Sequence, residues 1–437
     1  MTRPRSTSAV ALLLALLGLP GPGGAQAGPA PGSAIFLHPD GAAVSHWSAA
    51  RLLLAGPDGE IHWDRLPAVG VYRGHLSNSV ASSSHGGATA HAYGVKVLHD
   101  SFGMDGTDTL TALSGFRGSL MAEARESGIH TGLVNSGHLA EPGTAVWAAS
   151  APSRADVDAI TLQLVESGTR VILGGGEVLL LPAGEVGRHG QPGLRQDGRN
   201  LLERAAELGY TIVYDRDALL ALPDTVERVL GVFAAGNTFN DRSEEDLRTL
   251  DLPPYAPDAP TLEEMTEVAL RILSAPGGRF FLVVEEEGSD NLANQNNAPG
   301  TMEALARADA ALGVALDFVD RNPETLLLTA ADSDAGGLAV HAVRDSSAFE
   351  QPLPPTMGNG APLDGREGTA SPPFVAAADR AGIRLRFGIA WSGFADMMAG
   401  IVARAAGLNA ELLPTSVDNT DVYRMLYGTL FGRWPER

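Results

Sequence analysis

Apolar residues along the chain occur in short unbroken runs that alternate with longer segments of helical spacing. The runs at residues 34–37 (AIFL), 280–284 (FFLVV) and 325–329 (TLLLT) are typical of strands buried on both faces. Residues 260–273 and 301–319 carry apolar positions at helical spacing, and the second segment lies between two of the predicted strands. The pattern predicts an α/β fold, with a large, mostly parallel sheet and helices on both faces.

One long segment breaks this alternation. Residues 344–380 are rich in Pro, Gly and Ser and have no clear period, which predicts an irregular insertion at the surface. The remainder of residues 28–437 shows no internal repeat and no other change of pattern. We therefore expect a single domain that carries this insertion.

The first 27 residues are predicted to be a signal peptide and not part of the fold. Arg3 and Arg5 precede an apolar run at residues 9–19 (AVALLLALLGL), and residues 25–27 (AQA) form the small-x-small pattern of a cleavage site. The apolar run is too short for a permanent anchor. We therefore expect an exported protein, periplasmic or secreted, without a stable membrane anchor.

Composition narrows the classes of partner and of metal site. The chain has 437 residues, with 31 Lys and Arg against 52 Asp and Glu, so its formal net charge is −21. This acidity argues against a nucleic-acid partner, because binding to phosphate backbones needs clustered basic residues. Since the chain has no cysteine, disulfides and thiolate ligands are excluded. A metal site here must use oxygen or imidazole ligands.

Three carboxylates follow predicted strands closely. Asp40, Glu285 and Asp332 stand at the carboxyl ends of the three runs, where α/β sheets bind their ligands. Each of them alone is equally well explained as a helix or turn cap. Asp290 and Asn294 come soon after Glu285, as oxygen ligands around one shared cation would. Together these positions make a cation site the hypothesis to test.

Several segments resemble alkaline phosphatases. Residues 36–51 (FLHPDGAAVSHWSAAR) are similar to the opening Gly-Asp-Gly-Met-Gly and Thr-Ala-Ala-Arg blocks of that family, and residues 82–96 (SSSHGGATAHAYGVK) are similar to its nucleophile segment. Residues 131–148 (TGLVNSGHLAEPGTAVWA) resemble the next block. The resemblance implies that Ser84 is the nucleophile and that Arg154 binds the substrate phosphate.

The family's three metal-binding histidines have no counterpart in this chain. Counting within the motifs puts Asn294, Ser333 and Asp396 at those positions. Residues 391–393 (WSG) compete with Asp396 for the third position, and that alternative would leave no ligand there. Gly143 stands where the family has a threonine that helps to bind magnesium.

The resulting candidate ligands share oxygen donors in place of imidazole. They are Asp40, Glu285, Asp290, Asn294, Asp332 and Asp396. Such a set favours Mg²⁺, Ca²⁺ or Mn²⁺ over the zinc usual in the family. The alternative is a metal site that has decayed into a merely polar one. His38, His85 and His138 lie close to the motifs and could supply ligands from new directions, and His85 is the first of them to test.

The resemblance implies an exported, metal-dependent hydrolase of small phosphate monoesters that forms a phosphoserine on Ser84, and it leaves a homodimer open. Ser83 replaces an Asp that orients the phosphate-binding arginine in the family, which favours the alternative of a phosphate- or metal-binding protein with impaired catalysis. Phosphodiester or sulfate ester hydrolysis is a third reading, since fold does not dictate substrate. Residues 150–154 (SAPSR) match a short sulfatase signature, which we interpret as coincidence.

Overall fold

In a computed structural model, the described part of the chain, residues 28–435, contains nineteen strands and twelve helices. The strands are β1 (Ser33–Pro39), β2 (Ala68–Arg73), β3 (Met104–Asp105), β4 (Asp108–Thr109), β5 (His130–His138), β6 (Val171–Gly175), β7 (Thr211–Val213), β8 (Val229–Val232), β9 (Phe280–Glu286), β10 (Thr325–Thr329), β11 (Asp334–Ala335), β12 (Ala339–Val343), β13 (Leu363–Gly365), β14 (Gly368–Thr369), β15 (Phe374–Val375), β16 (Arg386–Ala390), β17 (Asp396–Met397), β18 (Val402–Gly407) and β19 (Ser416–Asp418). The helices are α1 (Val44–Leu54), α2 (Ser84–Tyr93), α3 (Leu120–Glu126), α4 (Pro142–Ala145), α5 (Val157–Glu166), α6 (Leu201–Glu207), α7 (Arg216–Leu220), α8 (Glu244–Leu250), α9 (Leu262–Ser274), α10 (Gly288–Asn294), α11 (Ala298–Arg321) and α12 (Asn419–Phe431). The predicted signal peptide lies outside the described residues.

A ten-stranded sheet forms the centre of the molecule. Its strand order is β19-β2-β18-β10-β1-β9-β5-β6-β8-β7. Every neighbouring pair from β10 to β7 is parallel, whereas β18 runs antiparallel to both β10 and β2. The predicted large, mostly parallel sheet is confirmed.

The three predicted strands are the three central ones. β1, β9 and β10 are buried along their whole length, as strands covered on both faces must be. On one side α9 packs against α11, and on the other α12 packs against α2. Since β1 contacts both α11 and α12, these helices form layers on opposite faces of the sheet.

The two predicted helices begin at recognisable caps. Thr261 caps α9 and forms a capping box with Glu264, so that Pro260 precedes the helix instead of opening it. Asn297 caps α11, which has a proline in its first turn. α11 begins three residues earlier than the segment at 301–319 and ends two residues later, because the added residues (APG and DR) carry no periodic apolar signal.

A second, antiparallel sheet contains part of the segment predicted to be irregular. Its strands lie in the order β12-β16-β13-β14, and β15 also pairs with β16. β13, β14 and β15 all fall within residues 344–380, so that segment is only partly irregular. These strands have two or three residues each, too short for a period-2 pattern to be recognised.

Membrane-spanning segments can be assessed only for the described residues. None of the helices formed by residues 28–435 combines the length and the apolar character needed to cross a bilayer.

Candidate active site

The candidate site lies at the carboxyl ends of the three central strands. Asp40 directly follows β1, Glu285 is the second-to-last residue of β9, and Asp332 comes three residues after β10. Because β10, β1 and β9 are adjacent and parallel, their ends bring these carboxylates to the same edge of the sheet. All three side chains are fully buried.

Many oxygens of this carboxylate cluster have no hydrogen-bond partner among the described residues. They are both carboxylate oxygens of Asp40 and of Asp332, and one oxygen each of Glu285, Glu287 and Asp290. Burial raises the pKa of Glu285 to about 8. Burial and the charge of Asp40 also raise the pKa of Asp332 well above its ordinary value. Buried, unpaired carboxylates are costly without a positive charge, and oxygen donors of this kind fit divalent cations.

A second group of predicted residues comes together across α10 and β17. The side-chain amide of Asn294 donates to Asp290 Oδ2 at 3.0 Å and to Asp396 Oδ1 at 2.9 Å. Its oxygen accepts from the Gly336 N–H at 2.9 Å, which sets the orientation of the amide. Asn294 therefore presents its nitrogen, not its oxygen, to the two carboxylates.

Asp396 reaches this position through a short pairing of strands. β17 pairs antiparallel with β11, so that Asp396 lies opposite Ala335. Ala335 itself comes three residues after Asp332. Ser392, in the competing segment, instead donates its hydroxyl proton to the Gly337 carbonyl. Ser333, the other replacement for a family histidine, is buried at the same edge of the sheet.

The three consecutive serines have different environments at the start of α2. The Ser83 hydroxyl caps the helix by accepting from the Gly86 N–H at 3.1 Å, and it donates to the His99 carbonyl at 2.6 Å. The Ser82 hydroxyl donates to the Ser83 carbonyl. Ser84 is the first residue of the helix, and its hydroxyl, unlike those of Ser82 and Ser83, has no hydrogen bond to another described residue.

The first turn of α2 packs against the carboxylate cluster. A Cβ added at Gly87 would lie 2.3 Å from Asp332 Oδ2 and 2.5 Å from Ser82 Oγ. Only a glycine allows the helix to approach the carboxylate so closely. The helix that begins at Ser84 therefore starts beside Asp332.

Arg154 approaches the same helix from another loop. Burial and the charge of Arg154 lower the pKa of His85, the residue after Ser84, to about 4. Arg154 Nη2 donates to Glu141 Oε2 at 3.2 Å, while His138 Nε2 lies 3.0 Å from Glu141 Oε1. Arg154 is thus held near Ser84 by a buried glutamate.

Gly143 has a steric role at the position where the related sequences carry threonine. A Cβ at this residue would lie 1.6 Å from Glu285 Oε1. The Glu285 side chain fills the space that a threonine would need, and its other oxygen accepts a hydrogen bond from Asn135. With Glu285 in this position, residue 143 can only be glycine.

Sequence reasoning did not select three residues of this site. Glu287 shares a group with Asp40 and Asp290 in which one ligand atom of each lies within 4.8 Å of the others. The run of three glutamates at the end of β9 was the available signal for it. Glu141 lies within the motif at residues 131–148 but was not selected as a site residue. His38 was named as a possible ligand but ranked below His85, although it lies two residues before Asp40 on β1. Of the predicted residues, the carboxylates and Asn294 lie at one edge of the sheet, with Ser84 and Arg154 beside them.

Comparison with known proteins identifies the family and the fold. The chain matches the alkaline phosphatase family model over residues 33–352. It is 28% identical over 330 residues to the membrane-bound alkaline phosphatase of Bombyx mori, a match that covers 67% of this chain and 58% of that protein. The chain therefore spans little more than half the length of this relative.

Two solved structures share the fold over almost their whole length. The alkaline phosphatase of Thermus thermophilus superposes with a TM-score of 0.68 at 23% identity and covers 96% of both chains. A variant of the enzyme from the Antarctic bacterium TAB5, described with Mg bound in its M3 site, gives a TM-score of 0.68 at 19% identity and covers 94% of this chain and all of that one. With a family model that matches residues 33–352, most of its length, the chain belongs to the alkaline phosphatase family.

Proposed function

We propose that the protein hydrolyses phosphate monoesters through a covalent phosphoserine on Ser84. The observation that carries this proposal is the packing of Asp332 against the first turn of α2, at the helix end where Ser84 lies. The proposal gives this site a nucleophilic hydroxyl on Ser84, a carboxylate cluster able to hold cations and an arginine at Arg154. Those are the groups that phosphoryl transfer requires.

The residues of this chain would act in two steps. The Ser84 oxygen attacks phosphorus while the bond from phosphorus to the alcohol oxygen of the ester breaks. The phosphoserine forms, and the proton that Ser84 loses ends on the departing alcohol. Water then attacks phosphorus, which releases inorganic phosphate and restores Ser84. Through both steps Arg154 binds phosphoryl oxygens with its fork of N–H donors, while the amides at the start of α2 favour the negative charge.

The carboxylate cluster would hold divalent cations. Asp40, Glu287 and Asp290 form one group of ligands, and Asp332 beside α2 would contribute a further one. Such ions would supply Lewis-acid stabilisation of the phosphoryl charge and lower the pKa of the nucleophile. The oxygen donors support Mg²⁺, Ca²⁺ or Mn²⁺ over Zn²⁺, and Mg is the ion bound in the TAB5 variant.

A second candidate, phosphate binding without turnover, is favoured by Asn294. Its amide already donates one hydrogen bond to Asp290 and one to Asp396. Those carboxylates therefore depend less on a cation than the rest of the cluster does. In this reading Arg154 still binds phosphate but no phosphoserine forms.

The test measures turnover and the intermediate together. Purified protein is assayed with phosphate monoesters, phosphodiesters and sulfate esters in Mg²⁺, Ca²⁺, Mn²⁺ and Zn²⁺, and phosphoserine is sought by mass spectrometry after acid quenching. We expect monoester hydrolysis best supported by the first three cations, with phosphate on Ser84. Ser84→Ala should abolish both signals, because the covalent pathway is lost.

The matched control is Ser83→Ala, which removes the adjacent hydroxyl and the helix cap. It should cost about 1 kcal/mol of stability but only weaken turnover. Full activity in Ser84→Ala would contradict the covalent mechanism. No turnover with any cation, together with phosphate binding that Arg154→Ala abolishes, would establish the binding function instead.

We further propose that the protein is exported after cleavage behind Ala27. The basic start, the apolar run at residues 9–19 and the small residues at 25–27 support this. Amino-terminal sequencing of protein recovered from outside the cytoplasm should begin at Gly28. A start at Met1 in that fraction would contradict the proposal.

A further inference from the structure

His38 lies inside the carboxylate cluster, on β1 two residues before Asp40. Its side chain is fully buried, and its Nε2 lies 3.4 Å from Asp40 Oδ1. One ligand atom each from His38, Asp40 and Glu285 lies within 4.8 Å of the other two. The site thus contains an imidazole at a position that is not among the family's ligand positions.

The orientation of this imidazole follows from its other nitrogen. Nδ1 lies 2.8 Å from the Ala330 carbonyl oxygen. A carbonyl can only accept, so Nδ1 carries a proton and donates it. An imidazole held in this way presents Nε2 as its ligand atom, which is the usual arrangement of a metal-binding histidine.

His38 Nε2 and the carboxylate oxygens around it form no hydrogen bonds in the described part of the chain. Nε2, both Asp40 carboxylate oxygens and Glu285 Oε1 are buried without a hydrogen-bond partner. Donors about 2.0–2.2 Å from a common ion are separated by up to about 4.4 Å. Small rotations of these side chains would therefore close the group around one cation.

We propose that His38, Asp40 and Glu285 bind one divalent transition-metal ion, with His38 Nε2 as a nitrogen ligand. Carboxylates alone suit Mg²⁺, Ca²⁺ and Mn²⁺, whereas an added imidazole favours transition metals. Mn²⁺ accepts both ligand types and is the ion we select as the probe. This inference rests on the metal-binding part of the proposed function, but not on turnover.

The other histidine group on this side of the molecule is less suited to a metal. His85, His99 and Asp100 also approach one another within 4.8 Å. However, the Asp100 side chain is 88% exposed and already pairs with His99 Nδ1 at 2.8 Å. Exposed and paired groups gain little from a cation, so His38 replaces His85 as the histidine to test.

The test detects nitrogen bound to the metal directly. Mn²⁺ is added to the purified mature chain, and electron spin echo modulation from a coupled nitrogen nucleus is recorded. We expect nitrogen modulation in the wild type, a change to the ¹⁵N pattern when the protein is made with ¹⁵N-histidine, and no modulation in His38→Gln. The affinity for Mn²⁺ should fall about 10-fold or more in that variant, and the affinity for Mg²⁺ should fall less.

The matched control is His91→Gln. His91 is buried and its ring centre lies 5.6 Å from that of His38, but its Nε2 is hydrogen-bonded to the Tyr72 hydroxyl. This variant should keep the nitrogen signal. The isotope experiment needs no mutation, so nitrogen modulation that does not change to the ¹⁵N pattern would overturn the proposal even where His38→Gln fails to fold.

Wild-type Mn²⁺ protein without nitrogen modulation would overturn the proposal and leave His38 as an ion-pair partner of Asp40. Nitrogen modulation that persists in folded His38→Gln would overturn it as well. Recording the same spectra on Ser84→Ala separates this result from the proposed function. There the nitrogen signal should remain even though hydrolysis is lost.

Discussion

At the scale of single residues, Glu141 is the carboxylate that pairs with Arg154. The Ser83 hydroxyl serves as a helix cap and makes no contact with Arg154. Glu141 instead accepts a hydrogen bond from Arg154 and lies within 3.0 Å of His138. Since Glu141 is buried and Arg154 is about half exposed, the glutamate is the rigid partner that orients the arginine.

We predict that Glu141→Gln weakens the binding of phosphate. Without the carboxylate charge, the Arg154 guanidinium is held less firmly and pays more conformational entropy when it binds phosphate. The inhibition constant for inorganic phosphate should rise about 3- to 10-fold, which corresponds to the loss of one charge-assisted hydrogen bond. For the enzyme, KM should rise more than kcat falls.

Asp156→Asn is the control for this prediction. Asp156 is exposed and lies two residues from Arg154, so its substitution removes the same charge nearby without removing a contact to the arginine. Phosphate inhibition should be unchanged in this control. An inhibition constant for Glu141→Gln within twofold of the wild type would show that Glu141 does not orient Arg154.

At the scale of elements, one buried carboxyl joins α8 to the second sheet. Glu244 opens α8, and its Oε1 accepts from the Thr369 N–H of β14 at 3.2 Å. Gly368, beside it, has φ +97°, and a Cβ there would lie 2.1 Å from Glu244 Cγ. The contact therefore needs a glycine for its backbone conformation and for its space.

This carboxyl makes stability depend on pH. Burial, together with the charge of Asp364, raises the pKa of Glu244 from 4.5 to about 8. Between these values the folded state binds more protons than the unfolded state, so the free energy of unfolding falls as pH rises from about 5 to 8. Glu244→Gln should remove the part of this slope that Glu244 contributes and raise the stability at pH 9 by about 1–2 kcal/mol.

Thermal unfolding at pH 5 and at pH 9 checks this prediction. The variant should gain stability over the wild type at pH 9 and show little gain at pH 5, where the wild-type carboxyl is also neutral. Glu245→Gln removes a charge from an exposed position of the same helix and serves as the control. An equal gain for both variants would indicate a general charge effect instead of the buried carboxyl.

At the scale of the whole molecule, two sources of negative charge act on stability. The chain carries a formal net charge of −21, which any salt screens. The carboxylate cluster, in contrast, joins the ends of β1, β9 and β10 with α10 at one buried site. A cation bound there would connect elements that are far apart in the chain.

We predict that chelation of divalent cations lowers the melting temperature. A cation that binds only the folded state stabilises it by mass action, by about 2.7 kcal/mol at a concentration 100 times its dissociation constant. Calorimetry of the protein with Mg²⁺ or Mn²⁺ and again with excess chelator should show the difference. Restoring the cation should restore the melting temperature.

Sodium chloride at matched ionic strength is the control, because it screens the net charge without filling the site. It should recover little of the stability lost on chelation. If sodium chloride recovers all of it, or if chelation leaves the melting curve unchanged, the cluster does not hold a stabilising cation in the folded protein.

Local patterns along the chain were enough to predict the framework of the fold. β1, β9 and β10 are fully apolar runs because they are covered on both faces, and α9 and α11 bury one stripe each. Asp40, Glu285 and Asp332 were selected for the same reason, since the end of a strand can be recognised locally. The short strands of the second sheet could not be predicted, because two or three residues carry no period.

Contacts between distant segments were decided only by the tertiary structure. The hydrogen bond from Asn294 to Asp396 joins residues 102 positions apart, and the orientation of that amide depends on the Gly336 N–H. The choice of His38 over His85 depended likewise on a distant carbonyl, that of Ala330 just after β10. Sequence determines which residue types can bind a cation or a phosphate. Which of their atoms face the site is set by hydrogen bonds and burial that exist only once the strands have packed.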